Sequence, residues 1–496
     1  MKIRLLHCIL LLAALLPFHQ PTFAAAPMWS QATVMDGAGD DWGQGIAALS
    51  DGSVAVTGWF EDTVRFGSNL LLSAGMHDIF VARFARDGKC LWAFRIGGHY
   101  DDWGYELAVD NKDNIYVAGS FEGKAAFGDT ELISAGNLDV YLVRVSPAGK
   151  VIWAAQGGGP LDDFGIGVAV NDTGDICVVG SFSGKAAFGT QRMSCKGRRD
   201  AFIAEYDTNG VFEWANQMAS VQQACALAVA VDDVNNSFYI TGYSDRTGEF
   251  GMNSVLATKK AESDDKDIFI TSVTFLGSPR WIRYAGGSGD DAGIGVAFDP
   301  KGTVYVVGRF SQKAIFPSLS SFRCRDVVFI CGDTMSANGR TTFSCDKKQY
   351  QCADTTLVSR GGTDIFAAAW DTAGGFAWAR GYGGPHDDEA RGACIDKAGD
   401  IVFTGFFSDT AWFGRSMPAS RRNWNIFCAS VNQSGSLLWT ASAGSDGTDE
   451  GTSVACSGRD FVIAGGIGGE ADIGRLHVTT TRNEGVLIAR LSYPGK

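Results

Sequence analysis

The sequence predicts an all-β fold, a seven-bladed β-propeller of four-stranded blades closed by an N-terminal strand that completes the last blade. Three observations predict it. Trp29, Trp92, Trp153, Trp214, Trp281, Trp378 and Trp439 stand at near-regular intervals, and the last six each follow an equivalent position by fourteen residues: Asp78, Asp139, Asp200, Asp267, Asp364 and Asn425. A glycine recurs in step with them, as Gly58, Gly119, Gly180, Gly242, Gly308, Gly405 and Gly465. The seventh equivalent position, Gly485, would need its tryptophan beyond the last residue, Lys496, and the segment around Trp29 supplies that strand from the other end of the chain.

The second unit shows each element in turn. Glu106-Leu107-Ala108-Val109-Asp110 alternates apolar and polar residues, as a strand does. Residues 111–114 form a polar turn, and Ile115-Tyr116-Val117-Ala118-Gly119 is a second strand. Phe127-Gly128 falls in a longer connection before a third strand, Asp139 to Val145. Pro147-Ala148-Gly149-Lys150 is a turn, and Val151-Ile152-Trp153-Ala154 is the fourth strand. From the recurrent glycine to the third strand the step is 20 residues in five units, 25 in the fourth and 56 in the fifth, so the fifth unit carries an insertion at about 317–357. A repeat array overrides the expectation that 496 residues form several domains, because each unit must stack on its neighbours to bury its apolar face.

Composition agrees with many short strands and tight turns, with 45% hydrophobic residues, 64 Gly and only 11 Pro. The formal charge of -13 argues against nucleic acid or an anionic membrane as the main partner. Lys2 and Arg4, then the apolar run Leu5 to Phe18, then Thr22-Phe23-Ala24, read as a secretory signal cut after Ala24. The expected organisation is therefore a signal peptide at 1–24 and a propeller at 25–496, with no transmembrane segment after cleavage and a periplasmic or secreted location.

The repeated pattern runs Gly-Gly-x-x-Asp-Asp-x-Gly, then Val-x-Gly-x-Phe, Phe-Gly, Asp-Ile-Phe-Val-Ala-Arg and Gly-Lys-x-x-Trp; Gly286-Gly287-Ser288-Gly289-Asp290-Asp291-Ala292-Gly293, followed by Val304 to Phe310, is its clearest stretch. It resembles the bacterial seven-bladed beta-propeller repeat family of secreted proteins over nearly all of residues 29–491. Arg86-Asp87-Gly88-Lys89-Cys90-Leu91-Trp92 is more weakly similar to the tryptophan docking motif of quinoprotein-type propeller repeats. Both resemblances imply a fold, since propellers host many unrelated functions.

Alternating strand direction sorts the loops onto two faces. One carries tight turns such as Asp51-Gly52 and Asp87-Gly88. The other carries the acidic pairs Asp40/Asp41, Asp101/Asp102, Asp162/Asp163, Asp290/Asp291, Asp387/Asp388 and Asp449/Glu450, expected to ring the mouth of a central channel. They suit either a cation such as calcium or the capping of backbone N–H groups in the Gly-rich loops. The fourth unit breaks the series with Val221-Gln222-Gln223-Ala224-Cys225, and the fifth adds the insertion, which the same reasoning places on this face. These two neighbouring departures mark Gln222, Gln223 and the insertion as the sector to watch. Cys324, Cys331, Cys345 and Cys352 in the insertion read as two disulfides, either Cys324–Cys331 with Cys345–Cys352 or Cys324–Cys352 with Cys331–Cys345; zinc is the alternative, without the usual two-residue knuckle. Cys394, in the place of Ala47, Ala108, Ala169 and Ala297, reads as a small core residue with a free thiol.

No Gly-x-Ser-x-Gly elbow, His-Glu-x-x-His or phosphate loop is present. The expectation is a monomeric, non-catalytic binding scaffold for a protein or glycan at the cell envelope, with no certain cofactor and calcium as a candidate. The competing expectation is a polysaccharide lyase or hydrolase, or a quinoprotein, working in the same channel mouth.

Overall fold

The computed structural model describes residues 26–245, 249–250, 265–317, 321–324, 327–330, 340–345, 348–414 and 416–494. Among them the regular secondary structure is all β, and no helix is long and apolar enough to cross a membrane. The expected disulfide cysteines of the insertion lie outside the residues whose side chains are described; the backbone there forms two hairpins, Ser321–Cys324 with Val327–Ile330 and Arg340–Cys345 with Lys348–Ala353.

The third unit shows the pairing without complication. Phe164–Val170 pairs with Ile176–Phe182, that strand with Asp200–Tyr206, and that with Phe212–Ala219, all antiparallel. The first strands of the successive units are Asp41–Ala48, Asp102–Val109, Phe164–Val170, Ala224–Asp232, Ala292–Asp299, Glu389–Ile395 and Glu450–Ser457. Each lies beside the next, and Glu450–Ser457 lies beside Asp41–Ala48. We number the units one to seven in that order. The architecture is all-β and propeller-like.

Each first strand carries a bulge near its start, as at Gly104/Glu106 and Gly293/Gly295. The recurrent glycine of the second strand sits opposite it. A Cβ on Gly119 would lie 1.9 Å from the Trp103 carbonyl oxygen, and one on Gly58 1.9 Å from that of Trp42. Close backbone approach at the bulge therefore requires glycine.

The second and third strands are longer than expected. Ile115–Phe127 and Thr130–Val145 continue as a hairpin through Phe127 and Gly128, so the Phe-Gly element is a turn between paired strands. Ala125 and Phe127 are buried and Lys124 is exposed, the alternation that makes this segment strand. The hairpin also meets the preceding unit, with Gly97 opposite Ala126 and Gly98 opposite Ala125.

Apolar clusters fill the space between units. Tyr116 and Leu142 of unit two pack with Val178 and Phe202 of unit three. Five of the regular tryptophans add a directed bond, the indole N–H donating to a turn carbonyl of the following unit: Trp92 to Pro147 at 3.1 Å, Trp153 to Thr208 at 3.1 Å, Trp214 to Phe275 at 3.0 Å, Trp281 to Thr372 at 2.9 Å and Trp378 to Gln433 at 2.8 Å. They are inter-unit packing residues, buried or half-buried.

Met28–Met35 pairs antiparallel with the last strand, Leu476–Ser492. Trp29, however, does not occupy the tryptophan position. A bulge between Trp29 and Gln31 puts Gln31 opposite Arg490, as Trp153 is opposite Arg144 in unit two. Gln31 then lies against Gly88, where Trp92 lies against Gly149. Trp29 turns to the other side of the strand and donates its indole N–H to the Ser442 carbonyl at 3.0 Å.

Cys394 is not a free thiol. It forms a disulfide with Cys456, with a Cα–Cα distance of 6.0 Å, because adjacent first strands bring the two residues side by side. Replacing both by alanine should cost about 2–4 kcal/mol. A fall in Tm matched by reductant on the unsubstituted protein is the expected calorimetric result. Deleting residues 27–34 should lower Tm further and cause aggregation by exposing the edge of Leu476–Ser492; an unchanged Tm would show that this pairing is dispensable.

Candidate binding site

The acidic pairs divide their labour. A buried carboxylate ties two loops in most of the pairs, whereas Asp41, equally buried, has no hydrogen-bond partner at either carboxylate oxygen among the described residues. Asp102 accepts the backbone N–H of Gly98 at 2.6 Å and of Glu122 at 3.3 Å. Asp163 accepts Gly159 and Ser183, Asp291 accepts Gly287 and Ser311, and Asp388 accepts Gly384 and Ser408, at 2.6–3.1 Å. Asp449 accepts Ser445 and Gly468 in the same way, so Glu450 aligns with Trp103 and Phe164 and not with the pairs. Capping therefore accounts for the buried carboxylates of Asp102, Asp163, Asp291, Asp388 and Asp449. Burial, outweighing these bonds, raises Asp102 to about 8 and Asp163 and Asp388 to about 7. Asp41 is pushed to about 9 by burial and then by its neighbour Asp36.

The first carboxylates are partly exposed or exposed, and several bind a residue within or at the start of the preceding unit's third strand. Asp101 meets His77 Nδ1 at 2.6 Å, Asp290 meets Lys266 Nζ at 3.6 Å, Asp387 accepts the Thr363 N–H at 2.8 Å, and Asp40 accepts the Glu484 N–H at 3.4 Å. Asp162 is half-buried on the same rim. Among the described residues no three His, Cys, Asp or Glu side chains converge as a metal ion would need, so the geometry gathers these carboxylates into no calcium cage.

Unit four solves the capping problem differently. Ala224 stands where the buried aspartate should be, and Asp245 reaches in from the second strand's end. It bonds the Ser220 hydroxyl and accepts the Gln223 N–H at 2.9 Å. The Gln222 carbonyl accepts the N–H groups of Arg198 at 2.6 Å and Arg199 at 3.1 Å, and Ala224 N–H donates to Arg199 at 2.9 Å. Gln222 and Gln223 thus act through their backbone, holding Arg199 at the mouth.

The stem of the insertion leaves this face. Its stem, Phe316 opposite Thr355, folds back along unit five. Phe316 stacks on Phe376 at 6.0 Å and lies 6.3 Å from Trp370, both beside the third-to-fourth turn. That is the end of the unit away from Asp387 and Asp388, so the insertion's stem is separated from the departure in unit four.

Inside the acidic rim the first strands enclose a cavity of about 500 Å³. Tyr105, Phe164, Arg199, Tyr243, Arg309 and Arg391 line it, none foreseen from the sequence. Arg309 Nη1 meets Glu389 at 2.6 Å, and Arg391 Nε meets Glu389 at 2.7 Å and Glu450 at 2.6 Å. Glu106 stands at the bulge level held elsewhere by Gly45, Gly167, Ala228, Gly295, Gly392 and Ser453. Burial raises it to about 8. A second cavity, of about 200 Å³, shares Glu106 and Arg391 with it and has Leu107, Val168, Val229 and Val296 in its lining.

On the rim beside units one and two, Trp59 and Trp103 meet edge to face at 5.2 Å, and His77 stacks on Trp103 at 4.3 Å. His77 bridges Glu61 at 2.9 Å and Asp101 at 2.6 Å. Across the mouth, Trp424 stacks on Phe406 at 4.1 Å and remains 37% exposed. The sequence did carry a signal for this belt. Of 13 tryptophans, Trp42, Trp59, Trp103 and Trp424 are among those outside the regular series.

A beta-propeller repeat (SBBP) profile matches residues 91–120, consistent with a beta-propeller repeat family. An uncharacterized WD repeat-containing protein of Acanthamoeba polyphaga mimivirus is 22% identical over 277 residues, covering 46% of this chain; the match spans only 19% of that protein's length. Similar solved structures include the quinohemoprotein alcohol dehydrogenase of Comamonas testosteroni, with 11% identity, a TM-score of 0.40 and coverage of 94% of this chain and 77% of that one. The WD40 beta-propeller domain of Doa1 has 11% identity, a TM-score of 0.41 and coverage of 95% and 98%. Likeness at this level concerns architecture alone.

Each raised carboxyl favours folding in its protonated form, so its contribution is complete below the ordinary value of 3.8 and is lost as pH rises through about 7 to 8. Tm should therefore fall between pH 5 and pH 8.5. Asp102→Asn should flatten part of that slope in a scanning-fluorimetry series, and a Tm that rises over this interval would contradict the assignment.

Proposed function

We propose that this chain is a seven-bladed propeller of four-stranded blades, its first strand completing the last blade, that acts outside the cytoplasm as a monomeric, non-catalytic scaffold binding a glycan at the channel mouth. Residues 1–24 are its signal peptide and the insertion at about 317–357 is a peripheral lobe. The pairing of Met28–Met35 with Leu476–Ser492 and the succession of neighbouring first strands support the architecture. One observation carries the function: the mouth combines a cavity of about 500 Å³ with a rim of partly exposed aromatic and charged side chains, Trp59, Trp103 and Trp424 among them. Flat aromatic faces stack on the apolar faces of sugar rings, while convergent polar groups fix hydroxyls. A protein partner at the cell envelope would instead leave glycans unbound.

Glycan-array binding of the full chain tests this. Binding should survive removal of residues 318–353 and fall at least tenfold in Trp103→Ala, about what loss of one stacked aromatic implies. Cleavage of a bound glycan or a bound quinone spectrum would replace the scaffold reading with an enzymatic one. Capture of an envelope protein without glycan binding would replace the ligand.

A further inference from the structure

In the rim pattern, the first aspartate of a pair neutralises or bonds the residue 24 positions earlier, as Asp101 does His77, Asp290 does Lys266 and Asp387 does Thr363. In unit four that aspartate position is Gln223, and the residue 24 positions earlier is Arg199. The exchange leaves the Arg199 guanidinium without a carboxylate partner among the described residues. Its side-chain neighbour is the ring of Phe164, 4.8 Å away. Lys266, 5.0 Å above the Tyr243 ring, keeps its own Asp290. A partly buried cation without an internal counter-ion attracts an external anion.

A second observation points the same way. Ser181, 0% exposed, lines the same cavity, and its hydroxyl has no nitrogen or oxygen partner; its neighbour is the Cys225 thiol, a weak one. Arg309 Nε, also on the cavity wall, is buried and unbonded while its Nη1 holds Glu389. Fully buried polar groups left open beside a cavity are ready-made ligand contacts. Phe164, Tyr105 and Tyr243 add ring faces around them.

We propose that this sector binds the carboxylate of an acidic sugar residue, a uronate, with Arg199 as its principal cation, Ser181 and Arg309 Nε as further donors and the aromatic side chains against the sugar ring. This rests on the glycan reading above and names its substrate class. A planar carboxylate matches the guanidinium fork.

Titration calorimetry of the full chain with trigalacturonate, with its neutral methyl ester, and with inorganic phosphate and sulfate tests the proposal. The acid should bind at least tenfold more tightly than the ester, and far more tightly than the inorganic anions. Arg199→Ala should remove that preference. Gln223→Asp, which restores the residue other units carry, should also weaken binding at least tenfold with Tm unchanged, because the new carboxylate competes for Arg199. Equal binding of acid and ester, or trigalacturonate binding indifferent to both substitutions, overturns the uronate site. Phosphate and sulfate binding as tightly as trigalacturonate overturns it too, leaving a general anion site. If neutral glycans bind while trigalacturonate does not, the uronate proposal fails and the scaffold reading stands; if no glycan binds, both fail.

Discussion

The buried aspartate at the start of most first strands is the interaction on which the rest of the fold depends. Asp163 reaches back to Gly159, at the end of the preceding unit's fourth strand, and forward to Ser183, where its own unit's hairpin begins. One carboxyl therefore fixes the junction of two units and the level at which the first strand enters the channel. Without it, several N–H groups of a glycine-rich loop would be buried unbonded. Unit four shows that a carboxyl is required and its strand of origin is not, since Asp245 fills the same space from another segment.

The fold was legible in the sequence because its constraints repeat. The glycine at Gly119 is demanded by a carbonyl almost in contact, and the tryptophan at Trp153 by a turn carbonyl of the next unit. Both recur at each turn of the array, so spacing alone exposes them. What the sequence concealed depends on single exceptions. The bulge that turns Trp29 away and presents Gln31 leaves no mark in the spacing of tryptophans. The fold-back that carries Phe316 toward Phe376 needs the hairpin's register, and the Cys394–Cys456 bond needs the lateral contact of two first strands.

The site was legible only in part, for the same reason. The loss of an acidic pair at Gln222 and Gln223 drew the eye to a sector whose local geometry the sequence did not display. The glutamines work through their backbone, and what they present is Arg199, a residue from the preceding unit. Channel-lining groups such as Glu106 and Arg391 come from different units at one height, and their meeting is a property of the assembled array. The aromatic belt of Trp59 and Trp103 was hidden by the more conspicuous tryptophan series.

The offset of Gln31 has a further consequence, for the order in which the chain matures. Met28–Met35 and its partner strand, Leu476–Ser492, stand far apart in the sequence. Every other unit finds its strands locally, so the array can assemble outward from the middle. Its first and last units meet late, across a contact where a glutamine replaces the tryptophan that fastens the others. That junction is where a nearly folded array would linger, with its hydrogen-bonding edge still open to helpers or to misassembly.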